Sequence, residues 1–400
     1  MRVLLAGQAY YRRDNGQAVF TMNLAEGLTS AGHQVLVMAP SPTGKAARKV
    51  VHGVTIQGVP AVALIDNTNV TAFSQGLVAR TMTAFQPDVV HVQDHYFLSR
   101  SVVAVARAQH RLTVGTNHFL PDNLTDNLPL THWLHKPLDQ LLWSAMLTVY
   151  NHLHAVSTPT ETAAAILRAQ GLRVPVTAIS CGVDVERFRP RPNVDRARLR
   201  QRYGLAMDKT ILLYVGRLDR EKDLDLLIRA FAQVPRTDLQ LVLGGKGGDL
   251  AHLQRICDEL VLAERVIFPG FIADADLPQL LNSADLFVMP SHAELQSIAT
   301  LEAMASGLPI LAANARALPE LVQPGVNGQL FTAGDVADAA CKINELVEQQ
   351  ATWSAMGAAS RSKAEHHAHK RAIVRYLHWY QEAAHAYQLQ HATGKLAPAH

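Results

Sequence analysis

Cysteine is scarce in this sequence. Its three copies, Cys181, Cys257 and Cys341, stand far apart. They form no metal-ligand spacing, and their scarcity points to a reduced, cytosolic compartment. Charge of one sign is scarce too. A net charge of +3 over 400 residues gives no ground for a nucleic-acid partner. No apolar run reaches about 18 residues, so no segment is expected to span a membrane. The opening MRVLLAG is a short apolar run that soon turns polar. It reads as a first strand, without the longer apolar region and cleavage site of a secretion signal. Signature loops of several chemistries are missing. Without G-x-G-x-x-G a nicotinamide cofactor is not expected, and without a serine elbow, H-E-x-x-H or a Walker sequence, hydrolase and kinase readings lack support.

What is present suits a globular α/β protein. Hydrophobic residues make up 48% of a chain long enough for two domains. Arg2 to Ala6 reads as a strand, the loop Gly7 to Gly16 follows, and a helix near Val19 to Ser30 leads to a second strand, Gln34 to Met38. Pro87 to Val92 reads as a buried strand followed by Gln93-Asp94-His95. A helix near Ser101 to Gln109 and a strand Leu112 to Gly115 deliver Thr116-Asn117-His118-Phe119. A histidine at a strand's carboxyl end suits a ligand site, and it is also a common satisfied buried histidine. Thr131 to His154 carries Trp133 and Trp143 at helical spacing, with Pro137 breaking or starting a helix within it. His132 and His135 lack a third partner for a metal. Near Arg187 to Pro192 the chain becomes basic and proline-bearing, as a linker would.

The pattern then restarts. Ile211 to Val215 is a strand, Gly216 to Lys222 a loop, and Leu224 to Gln233 a helix. Arg217 and Lys222 converge on that loop, where a planar fork and a point charge can grip phosphate. Leu239 to Leu243 leads to the glycine-rich Gly244-Gly245-Lys246-Gly247-Gly248, and Arg265 to Ile272 gives a further strand and loop. The organising stretch is SHAELQSIATLEAMASGLP, Ser291 to Pro309. The apolar run Leu286 to Met289 before it reads as a buried strand. Ser297 caps a helix, Gly307 and Pro309 stop it, and Ile310 to Ala312 is the next strand. Glu294 precedes the helix and Glu302 lies inside it. A helix N-terminus between two carboxylates suits a phosphate flanked by hydroxyls, as in a sugar nucleotide. On spacing alone this competes evenly with a capping glutamate and a surface one. Asp223-x-Asp225 and Asp274-x-Asp276 fall at helix starts and read as structural. The tail from about Val336 is helical, with Trp379 and Tyr380 suited to docking and His366, His367 and His369 on an exposed polar run.

AELQSIATLEAMASGLPI resembles the E-x7-E motif of retaining glycosyltransferases of family 4, in group 1, which have the GT-B fold. Gly216 to Lys222, the n-G-v-D-x-x-x-F match at Ile179 to Phe188, Asn15-Gly16, and Leu318 to Gly328 extend the likeness over most of the chain. The usual Gly-Phe-Gly is here Leu295-Gln296-Ser297, and Arg316-Ala317 replaces a glycine pair. The resemblance implies two Rossmann-like domains, with parallel sheets facing a central cleft. These are expected at 1–188 for the acceptor and 189–365 for the nucleotide sugar, with a helical tail, 366–400, packing back on the first. It implies hexosyl transfer with retention from a UDP- or GDP-hexose to an acceptor hydroxyl, without metal or other cofactor. Catalytic roles fall to His118, Arg217, Lys222 and Glu294. Donor contacts fall to Gly16, Arg217, Lys222, Gly245, Ile272, Glu294, Gln296, Ser297, Ile298 and Glu302. TNHFLPDNL, Thr116 to Leu124, is similar to the glycolipid-forming branch, which includes diacylglycerol and phosphatidylinositol glycosyltransferases. Basic residues beside apolar ones, Lys45, Arg48, Lys49, Arg100, Arg107 and Arg111, suit an anionic membrane surface. The expectation is a monomer, cytoplasmic and peripheral on the inner face of the membrane, with a lipid acceptor. A soluble acceptor and a nucleotide-sugar 2-epimerase are the alternatives.

Overall fold

The computed structural model describes residues 1–10, 16–63, 69–71, 74–121, 132–193 and 195–392. Asn15, residues 122–124 and the side chains of His132, Trp133 and His135 lie outside the described residues. The described residues form two compact units, one from those within 1–121, 132–181 and 369–392, the other from those within 182–368.

The strands of unit 1 are β1 (Arg2–Ala6), β2 (Gln34–Pro40), β3 (Ala47–Val51), β4 (Val54–Val59), β5 (Val62–Ala63), β6 (Asn69–Val70), β7 (Val89–Val92), β8 (Thr113–Thr116), β9 (Ala155–Thr158) and β10 (Val176–Ala178). Eight of them make one sheet in the order β10-β9-β8-β7-β1-β2-β4-β3. Central β1 buries Val3, Leu4, Leu5 and Ala6 completely, the near-continuous apolar run that a parallel strand covered on both faces requires. The sheet is parallel as expected except at its edge, where β3 runs antiparallel to β4. His52 and Gly53 between them have φ of 49° and 79°. Two left-handed residues in a two-residue loop make the tight hairpin turn that reverses the chain.

Helix His369–Ala392 belongs to this unit and buries Tyr376, Trp379 and Tyr380. A Cβ on Gly27 would collide with Ile373, so glycine there lets helix Gly16–Ser30 approach the terminal helix closely. His91 of β7 joins the same packing. Its Nδ1 lies 2.7 Å from the Tyr380 hydroxyl and its Nε2 2.7 Å from Thr116 Oγ1. Burial, then the neighbouring His118, pull its pKa down to about 3, so it stays neutral. Pro137 lies within helix His132–Tyr150 and does not end it.

Unit 2 carries β11 (Thr210–Val215), β12 (Leu239–Gly244), β13 (Val266–Ile267), β14 (Leu286–Met289), β15 (Ile310–Asn314) and β16 (Gly328–Thr332). They pair in parallel in the order β13-β12-β11-β14-β15-β16. The Arg265–Ile272 run divides as expected into a strand, β13, and a loop. Pro269 has no N–H to donate, and Gly270 turns away at φ 76°. His366 is exposed, but His367 and His369 are half-buried, contrary to an exposed polar run. The His367 carbonyl accepts the Val183 N–H at 2.9 Å where the chain passes between two helices.

In each of the two large sheets the order of the parallel strands reverses once, between β1 and β7 in unit 1 and between β11 and β14 in unit 2. Open α/β sheets bind ligands outside the carboxyl ends of the strands at such reversals. The loops to inspect are therefore those after β1 and β7, and those after β11 and β14.

Candidate active site

In unit 2 the loop after β11 carries Arg217 and Lys222, and the loop after β14 carries Glu294. Lys222 Nζ lies 2.7 Å from Glu294 Oε1 and 3.2 Å from Glu221 Oε1. Its side chain is 14% exposed and that of Glu294 13%. Burial alone would pull the Lys222 ammonium down, but Glu294 and Glu221 outweigh it and hold the pKa above its ordinary value. Arg217, 56% exposed, places Nη1 2.5 Å from Asp219 Oδ2, and its Nη2 donates to Glu221. Tyr214 at the end of β11 donates its hydroxyl to the Arg217 carbonyl at 2.7 Å, which fixes the loop's start.

The two loops are tied together. Ser291 Oγ donates to the Glu221 carbonyl at 2.9 Å, and His292 Nδ1 lies 2.5 Å from Asp223 Oδ2. Ser297 has extended backbone, and its Oγ accepts the Thr300 N–H at 3.2 Å. Helix Ile298–Ala305 thus opens on a buried cap immediately after the Glu294 loop. Gln296 is buried and Ile298 half-buried at this opening. Glu302 lies one turn further, beside Arg187 and Asp274, which pair at 2.8 Å. Burial pushes the Glu302 carboxyl up to about 8, with Arg187 opposing and Asp274 adding to the shift.

The glycine loop after β12 lies against the Arg217 loop. A Cβ on Gly245 would overlap the Gly216 carbonyl oxygen, and one on Gly247 the Leu218 carbonyl. Gly245 also stands at φ 143°, so glycine is required there twice over. Asp219 Oδ1 accepts the Gly248 N–H at 3.0 Å, and Gly245 donates to the Gly270 carbonyl at 2.8 Å. Ile272 is buried against Gly244.

Unit 1 is built differently at its own reversal. Asp94, after β7, accepts the Gln8 N–H at 2.5 Å and Gln17 Nε2 at 3.0 Å on one oxygen. The other oxygen accepts the Tyr96 N–H at 3.1 Å and Ser99 Oγ at 2.7 Å. One buried carboxylate thereby joins the loop after β1, the first helix and the loop after β7. His118, after β8, places Nε2 3.3 Å from Gln93 Oε1, and its ring centroid is 4.5 Å from that of Phe20. Burial pulls its pKa down to about 3. Gly16 opens helix Gly16–Ser30 in the same unit and is exposed.

Two family models divide the chain between them. Residues 14–187 match Glycosyltransferase Family 4, and residues 195–363 match glycosyl transferases group 1. D-inositol 3-phosphate glycosyltransferase of Mycolicibacterium smegmatis is 30% identical over 366 residues, 88% of this chain and 82% of that protein. The chain belongs to glycosyltransferase family 4. Shorter alignments reach two other relatives of this glycosyltransferase. The Mycobacterium marinum D-inositol 3-phosphate glycosyltransferase is 33% identical over 75% of the chain, and the Arabidopsis thaliana sulfoquinovosyl transferase SQD2 is 29% identical over 70%. The alignments span 64% and 54% of those two proteins' lengths. Among solved structures, sucrose-phosphate synthase of Thermosynechococcus elongatus is similar with TM-score 0.78, 20% identity and coverage of 96% of this chain and 100% of that one. Anabaena HepE in complex with UDP and glucose has TM-score 0.77, 21% identity and coverage of 96% and 99%. The fold of the glycosyltransferase is GT-B, with two parallel-sheet α/β units.

The structure brings Arg217, Lys222, Glu294, Gly245, Ile272, Gln296, Ser297, Ile298 and Glu302 to the strand ends of unit 2. His118 and Gly16 lie in unit 1. Sequence reasoning did not single out Glu221 or Asp94. Glu221 stood inside the quoted Gly216–Lys222 loop, between two cations that a buried carboxylate could serve. Asp94 had one signal only, an acidic residue directly after a buried strand.

Proposed function

We propose that this glycosyltransferase moves a hexose from a nucleotide-diphosphate sugar, UDP- or GDP-linked, to an acceptor hydroxyl with retention at the anomeric carbon. The observation that carries the reading is the meeting of Arg217, Lys222, Glu294 and the capped helix at the β11–β14 reversal. As the glycosidic bond breaks, negative charge grows on the leaving β-phosphate. Arg217, Lys222 and the amides from Gln296 to Ile298 are assigned to stabilise it, as donors in an oxyanion hole do. These groups supply the charge, so the reaction is read as metal-independent. Glu294 is assigned to sugar hydroxyls and Glu302 to the ribose. HepE, which has been solved in complex with UDP and glucose and with UDP-glucose, supports a sugar-nucleotide ligand for this fold. In unit 1, His118 is assigned to the sugar or the acceptor. Being neutral, it can donate or accept a hydrogen bond without changing charge.

The acceptor is read as a membrane lipid, with the enzyme peripheral on the inner face of the membrane. No helix among the described residues is long and apolar enough to cross a membrane. Strand β3 exposes all five of its residues, among them Arg48, Lys49 and Val50, and Arg100 and Arg107 are exposed elsewhere in the unit. Such a surface attracts anionic lipid by about 1 kcal/mol per basic residue. Relatives named for D-inositol 3-phosphate favour a second reading, a soluble polyol phosphate acceptor. A panel of UDP- and GDP-hexoses tested against a lipid extract and against small polyols, with products separated, decides between them. Sedimentation with anionic liposomes at low and high salt tests the surface. A protein that stays in the supernatant at low salt and glycosylates no lipid takes the soluble acceptor.

A further inference from the structure

Glu221 has a place in this site that the donor contacts leave unassigned. Its side chain is 1% exposed, so it does not face a ligand itself. Yet one of its oxygens accepts from Arg217 Nη2 and lies 3.2 Å from Lys222 Nζ. Its backbone is held by Ser291 of the neighbouring loop. Two cations gripping one diphosphate repel each other, and a buried carboxylate is costly unless it is paired. Each problem removes the other when the carboxylate sits between the cations. The turn Arg220–Lys222 makes this possible by carrying Glu221 inward beside Lys222.

We propose that Glu221 is a positioning residue that fixes Arg217 and Lys222 for the departing diphosphate and moderates their grip on it. The inference rests on the donor reading above. Its second half follows from the charge of the cluster. Arg217 and Lys222 stand against Asp219, Glu221 and Glu294, which leaves one net negative charge. Neutralising Glu221 removes that excess. A bound nucleoside diphosphate should then be held more tightly, while the cations lose the anchor that aims them.

The test is Glu221→Gln, with Glu221→Asp beside it, measured for single-turnover rate, thermal midpoint and UDP affinity by calorimetry. In Glu221→Gln the rate should fall by about tenfold or more, since preorganised charge is lost. UDP should bind roughly threefold tighter or more, because one unit of nearby negative charge is gone. In Glu221→Asp, which keeps the charge but withdraws it by one methylene, the rate should fall with UDP affinity unchanged. A purely structural role would weaken rate and UDP affinity together and lower the midpoint, and that result overturns the proposal. So does an unchanged rate in Glu221→Gln. Should Glu221→Gln not fold, Glu221→Asp decides, a slower rate with unchanged UDP affinity supporting the proposal and a parallel loss overturning it. Full activity in both Arg217→Ala and Lys222→Ala would instead bring down the donor reading itself.

Discussion

At the β1–β7 reversal of unit 1, Asp94 turns both oxygens toward protein donors, and His118, after the neighbouring β8, is neutral. At the β11–β14 reversal of unit 2, Arg217 and Lys222 stand among carboxylates, with Arg217 still more than half exposed. The same topology ends in two kinds of polar chemistry. One carboxylate is used inward, to hold loops in register. The other set holds charge where an anion can meet it. A reversal of strand order says where a ligand binds, and the residues after the strands say which kind.

The largest effect should come from unit 2. Arg217→Ala or Lys222→Ala should cost about 3 kcal/mol or more of transition-state stabilisation, as loss of an oxyanion donor does. The measurement is kcat/KM for the donor. Full activity in both variants would remove the anion-binding half of the comparison. Asp94→Ala comes next. It leaves two main-chain N–H groups, Gln17 and Ser99 without their acceptor, at about 1–3 kcal/mol for a buried group left unsatisfied. Chemical denaturation should show the loss, and acceptor KM should rise while UDP affinity holds. Weakened UDP binding in Asp94→Ala would contradict its confinement to the acceptor side.

Glu302 sharpens the contrast through pH. Its carboxyl, pushed up to about 8, is protonated near neutrality in the free protein. Ribose hydroxyls donate best to the ionised form, so nucleotide binding should release a proton. UDP affinity should therefore rise with pH, by up to about tenfold per unit, and level off above about 8. Glu302→Gln should abolish the slope, and an unchanged slope would return Glu302 to a structural role. Folding stability runs the opposite way with pH. A raised carboxyl stabilises the folded state fully below its ordinary value of 4.5, and that contribution is lost as pH rises to about 8. His118, at about 3, should add no ionisation to the activity profile between pH 5 and 8.

Much of unit 2 was legible because its chemistry is local. Arg217 and Lys222 share one loop, Ser297 announces its cap three residues ahead of Thr300, and Leu286–Met289 is apolar enough to be a buried strand. Glu221 was not legible, since its burial depends on where the short turn Arg220–Lys222 points. Asp94 was not legible because its partners Gln8 and Gln17 are far away in sequence and meet it only across two strands. Strand β3 was missed for another reason. ARKVV is too polar to register as a strand, and its pairing is set by the left-handed pair His52-Gly53. Hydrophobic period and loop residues reveal the frame, whereas non-local polar bonds appear only once it has folded.

The smallest effect gives the cleanest separation of the two units. Each has a buried hydroxyl capping a helix after a strand. Thr160 Oγ1 in unit 1 accepts the Ala163 N–H at 3.2 Å, and Ser297 Oγ in unit 2 accepts the Thr300 N–H at 3.2 Å. Removing either hydroxyl should cost about 1 kcal/mol of stability, the usual worth of an N-cap. The two should part company in UDP binding. If the opening of helix Ile298–Ala305 holds the donor phosphate, loosening it forfeits part of an anion interaction worth about 0.3–1 kcal/mol. Ser297→Ala should then weaken UDP binding two- to fivefold by about that energy, while Thr160→Ala, with the same bond removed in the other unit, leaves it unchanged. Calorimetric titration of both variants with UDP, alongside their denaturation midpoints, measures the difference. Equal UDP affinity in the two, at equal loss of stability, would show that Ser297 caps a helix and does nothing for the donor.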